Sequence, residues 1–86
     1  ACNDNLMSYY EQITNVILGN NASLLKSVLR DLSSNSKIVP ILPYLVNFIN
    51  YGIKKLNHDL IQTRRLLQVV EALLRNESLF WQMNPT

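Results

Sequence analysis

Apolar and polar positions fall into four stretches of helical period, separated by short polar breaks. In the first, Leu6, Tyr9, Tyr10, Ile13, Val16 and Ile17 recur at three- and four-residue spacing. That spacing places them on one face of a helix over about residues 5–18. Gly19-Asn20-Asn21 ends it, because both residue types tolerate the left-handed conformation at a helix end. Asn21 then suits the N-cap of a second helix over about residues 22–33, with Leu25, Val28, Leu29 and Leu32 as its apolar stripe. Lys26 and Arg30 lie four residues apart on the opposite side and read as a solvent-facing pair.

Ser33-Ser34-Asn35-Ser36 breaks the pattern. A third helix, about residues 41–56, has proline at its entrance: Pro40 and Pro43 lack amide protons that a first turn leaves unpaired anyway. Its stripe is Leu42, Leu45, Phe48, Ile49, Ile53 and Leu56, with Leu45, Phe48 and Ile49 expected in the core. Gly52 sits inside this helix at a cost of about 1 kcal/mol relative to alanine, which points to a close neighbouring helix. The fourth helix, about residues 58–75, takes Asn57 as its expected cap and Asp59 in its first turn. Leu60, Leu66, Leu67, Val69, Val70, Leu73 and Leu74 cover more than half its circumference. An arc that wide predicts an inner helix packed on two sides, with Leu67, Val70 and Leu74 in the core. A short helical turn over 77–82 follows.

The four helices make two antiparallel pairs with turns at Gly19–Asn21 and Leu56–His58. The second pair starts about 36 residues after the first, a spacing that suits helical-pair repeats of about 34–47 residues. The predicted fold is all-α: one domain over residues 1–86, forming the start of a HEAT-like α-solenoid.

Composition narrows the function. The chain has 86 residues and is 48% hydrophobic, which is globular rather than disordered. Only 16% of residues are charged; eleven Asn and seven Ser leave the surface polar but weakly charged. A net charge of +2, with no cation run longer than Lys54-Lys55 or Arg64-Arg65, argues against nucleic acid or an acidic membrane as partner. The lone Cys2 excludes an internal disulfide. No signal peptide is visible, and no apolar run approaches membrane-spanning length. Two sequons occur, Asn21-Ala-Ser23 and Asn76-Glu-Ser78, as so much Asn would produce by chance.

No constellation for catalysis emerges. His58 beside Asp59 reads as a polar turn residue rather than a base. Gly19 and Gly52 are the only glycines, so no phosphate-binding loop exists, and no metal-ligand spacing is present. Tyr9-Tyr10 offers a stacking platform in principle, but helical aromatic residues are usually core. Leu79, Phe80, Trp81 and Met83 form the candidate partner-binding cluster, with core packing as the plainer alternative. The expectation is a non-enzyme without cofactor, metal or small-molecule substrate.

Three stretches carry a resemblance. Tyr9-Tyr10 with Ile13 is similar to a "YY…IT" repeat opening. The segment from Ile41 to Ile49, ILPYLVNFI, is similar to "LLPYFVQFI". The run from Arg65 to Val70, with Leu73-Leu74-Arg75-Asn76 and Leu79, is similar to a "…RMVRALLDNPTLY" helix. Together they resemble the HEAT-repeat region of the TBP-associated factor six family, over most of residues 8–80. Asn35-Ser36-Lys37-Ile38 and His58-Asp59-Leu60 look closer to the six-like branch found in SAGA-type coactivators. After Leu79 the family pattern continues with an acidic, tyrosine-containing segment, whereas Phe80-Trp81-Gln82-Met83 stands here.

The resemblance implies a nuclear scaffold or protein-interaction domain in a subunit of a TFIID- or SAGA-type transcription complex. Its partners would be protein subunits, without direct nucleic-acid or membrane binding. The competing reading is a free-standing four-helix adaptor or secreted helical bundle, in which the sequons would be real.

Overall fold

The computed structural model describes residues 4–79. These form α1 (Asp4–Leu18), α2 (Ala22–Leu32), a 3-10 helix (Ser36–Ile41), α3 (Leu42–Lys55) and α4 (Leu60–Arg75). One further helical turn covers residues 77–79, and no strand occurs among the described residues. The helices pair as α1 with α2 and α3 with α4. The pairs stack so that α4 lies beside α2, while the 3-10 helix joins α1 to α3.

Each pair turns on local chemistry. Gly19 donates its amide to the Val16 carbonyl at 3.2 Å. Neither glycine has a positive φ, so this turn closes as a tight i to i−3 bond without the left-handed step expected of it. Asn21 caps α2 as expected: its side-chain oxygen accepts from the Leu24 amide at 3.0 Å. At the second turn the cap is Asp59 and not Asn57. The Asp59 backbone is extended and its Oδ1 accepts from the Gln62 amide at 3.1 Å. Helix α4 accordingly starts at Leu60, two residues later than the sequence pattern suggested.

The 3-10 helix was not anticipated. Pro40 lies within it, and the Asn35 side chain caps it through the Lys37 amide at 2.8 Å. It carries two fully buried anchors, Ile38 and Ile41, into the core. Pro43 then occupies the first turn of α3, where a missing amide costs nothing.

The core draws Ile13 and Ile17 from α1, Leu25 and Leu32 from α2, and Leu45 and Ile49 from α3. From α4 come Leu66, Val69, Ala72 and Leu73, and Leu79 completes it. Phe48 and Val70 are only half-buried, packed at its edge. Two residues expected in the core lie outside it: Leu67 is 55% exposed and Leu74 is 65% exposed. The apolar arc of α4 is wide, but it divides into a buried stripe through Leu66, Val69 and Leu73 and an open flank. Helix α4 is therefore packed along one broad side rather than enclosed.

Gly52 provides the close approach that its cost implied. It is buried in α3, and a methyl group added there would come within 2.8 Å of Leu66 Cδ1 and 3.3 Å of Cδ2. Replacing Gly52 with alanine sets a helix-propensity gain of about 1 kcal/mol against an overpacking cost of about 1–3 kcal/mol. Because Leu66 is fully buried and has little room to shift, the expected outcome is a net loss of about 1 kcal/mol in urea unfolding. A stabilised Gly52→Ala protein would show that α3 and α4 have slack at this crossing.

Candidate protein-interaction surfaces

Side chains from the second pair close the helix ends of the first. At the C-terminus of α1, Gln62 Nε2 donates to the Leu18 carbonyl at 3.2 Å and Arg65 Nη1 donates to the Ile17 carbonyl at 3.4 Å. At the end of α2, Asn76 does the same from within the core. It is 1% exposed, and its Nδ2 donates to the carbonyls of Leu32 at 2.8 Å and Asn35 at 3.0 Å. Its Oδ1 accepts from the Ser78 amide at 3.1 Å. By sequence, Asn76 reads as the stop of the fourth helix and the start of a sequon. Its Nδ2 is fully engaged in the fold, which removes one of the two sequons that supported a secreted bundle.

Leu79, placed by sequence in the partner-binding cluster, is fully buried instead. Its amide donates to the Asn76 carbonyl at 3.1 Å, so the turn at 77–79 tucks it into the core. Phe80, Trp81 and Met83 lie outside the described residues. The aromatic pair at the N-terminus is structural: the Tyr10 and Tyr44 rings meet at 6.1 Å between centroids, joining α1 to α3. His58 sits exposed in the second turn. No group of three or more His, Cys, Asp or Glu residues converges among the described residues. No helix among them is long and apolar enough to cross a membrane.

Grooves among the described residues include two that run between helices. One runs between α3 and α4 and has a volume of about 350 Å³. Leu42, Val46, Ile53, Val70 and Leu74 line it, with Asn50 as its polar contribution. Val46 and Leu74 are 48% and 65% exposed, an apolar strip on the outside of the second pair. The other runs between α2 and α4, which lie side by side in parallel. Ala22 and Ile61 line it at one end, and Ser33 and Arg75 line its continuation at the other. Sequence reasoning missed both grooves as surfaces, because each needs two helices whose side-by-side placement no local pattern reveals.

Comparison with known proteins fits this architecture. The family model described as TAF6 C-terminal HEAT repeat domain matches residues 2–83. Among curated relatives, the chain is 47% identical over 76 residues to the mouse TAF6-like RNA polymerase II p300/CBP-associated factor-associated factor 65 kDa subunit 6L. The human protein of that name is also 47% identical over 76 residues. Each match covers 88% of this chain but 12% of the relative, so the chain spans a small part of those proteins' length. No solved structure matches it. With two stacked helical pairs and a family match over almost its whole length, the chain belongs to the TAF6 C-terminal HEAT repeat domain family.

Proposed function

We propose that this chain is a non-enzymatic scaffold domain of a subunit in a nuclear transcription complex of TFIID or SAGA type, and that its partners are protein subunits. The observation that carries the proposal is the apolar α3–α4 groove on the outer side of the second pair. In a helical-repeat array each pair buries such a face under its neighbour. The occupant we assign to it is a further helical pair of the same array. The relatives, of which the matched stretch is 12%, leave ample chain to supply one.

The test is affinity purification of the full-length protein from nuclei, followed by quantification of co-purifying transcription-complex subunits. Val46→Asp with Leu74→Asp places two carboxylates in the groove at exposed positions that leave the core intact. Loss of the complex with this double variant is the expected result. Undiminished recovery would sink the proposal. For the 86-residue chain, duplex DNA binding at micromolar affinity or tighter in about 150 mM salt would contradict a purely protein-binding role.

A further inference from the structure

We propose that the α2–α4 face is a docking groove for an acidic amphipathic segment of a protein partner. It shares no lining residue with the α3–α4 groove, so the proposal stands whether or not a further pair seats there. Its apolar lining includes Leu25 and Leu29 from α2 and Ile61 from α4, the last 68% exposed. Lys26 from α2 and Arg64 from α4 also line it. The main hollow has a volume of about 350 Å³ and continues past Gln68 into a second stretch of about 270 Å³ beside Arg30 and Arg75.

Charge is the observation that identifies the occupant. Five cations border this face (Lys26, Arg30, Arg64, Arg65 and Arg75) against two carboxylates, Asp31 and Glu71. That leaves +3 on one face of a chain whose total is +2. Both carboxylates are already engaged: Glu71 pairs with Arg75, and Asp31 accepts from Asn35 Nδ2 at 3.3 Å. The side chains of Lys26, Arg30 and Arg64 have no acceptor among the described residues. Scattered exposed cations are ordinary on a helix. Here they converge from two parallel helices onto an apolar trough, and that combination matches a helix with one apolar and one acidic face. A nucleic-acid backbone would leave the exposed Ile61 without a complement, and two of the five cations are already used within the chain.

Fluorescence anisotropy tests this with the 86-residue chain and a labelled helical peptide of about four turns, Leu and Phe on one face and Glu and Asp on the other. Saturable, salt-sensitive binding is expected, lost when the peptide's acids are replaced by Gln. Lys26→Glu with Arg64→Glu should weaken it about tenfold or more, and Ile61→Ser should weaken it as well. Lys37→Glu with Lys54→Glu, the same charge change outside the groove, should change it less than about twofold. All these positions are exposed, and the Gln peptide keeps the test decisive even if a variant folds poorly. Absence of saturable binding, equal loss from the two charge-reversed pairs, or retained affinity for the Gln peptide would each overturn the proposal. Binding of a duplex oligonucleotide as tight as the acidic peptide would overturn it too, marking the face as a nucleic-acid patch.

Discussion

Replacing Asn76 with alanine is expected to destabilise the chain by about 2–4 kcal/mol, since the buried Leu32 carbonyl and the part-buried Asn35 carbonyl lose their shared donor and an unsatisfied buried group costs about 1–3 kcal/mol. A domain of this size has about 4–13 kcal/mol in total, so the loss is a large share. At roughly 4–8 °C per kcal/mol, the melting temperature should fall by at least about 8 °C. Asn76→Asp should be at least as damaging at neutral pH, because it sets a buried carboxylate against two carbonyl oxygens. Burial raises that carboxyl's folded-state pKa above its unfolded value of about 4. The folded state then holds the proton more tightly, so the penalty shrinks as pH falls through the raised pKa, where the neutral acid can donate one bond. Thermal denaturation of both variants between about pH 4 and 8 checks the claim. A melting temperature for Asn76→Ala within about 3 °C of the parent would mean that water serves those carbonyls equally well.

The second large effect separates two adjacent leucines. Leu66 is fully buried against Gly52, and Leu66→Ala should cost about 2–5 kcal/mol. Leu67 is more than half exposed on the open flank, and Leu67→Ala should stay within about 0.5 kcal/mol. Urea denaturation of the two variants side by side reads the rotation of α4 directly. Equal losses would mean that the helix is enclosed on both flanks after all.

That pair also marks where sequence reasoning ran out. Helical period located four helices, because an apolar stripe at three- and four-residue spacing has few other solutions. Gly52 announced a close crossing, since glycine inside a helix is otherwise a cost without return. In α4, however, leucine and valine occupy so much of the circumference that period alone cannot choose between Leu66 and Leu67. The choice is made by the hollow that Gly52 leaves on α3, a tertiary fact. The 3-10 helix was hidden because Pro40 reads equally well as the first turn of an α-helix. Asn76 looked like an ordinary stop signal, because its hydrogen-bond partners lie 44 and 41 residues away. The α2–α4 groove was half legible: its cations were visible as two separate pairs, each plausibly solvated. Only the parallel placement of the two helices brings them together. Phe80, Trp81 and Met83, candidates for partner binding in the sequence, fall outside the described residues.

The closure of α1 and α2 by side chains of α4 and of its C-cap Asn76 has a consequence for how such pairs assemble. Apolar ridges tolerate sliding, and leucine-rich helices offer several near-equivalent ways to nest. Gln62, Arg65 and Asn76 do not: their acceptors are fixed backbone oxygens at the exits of α1 and α2. Displacing α4 by one helical turn, about 5.4 Å, would forfeit all three contacts at once. The polar side chains thus act as an indexing mechanism that selects one registry among many greasy alternatives. They also tie the first pair's completion to the second's arrival, so the two hairpins should melt as a single cooperative unit rather than one after the other.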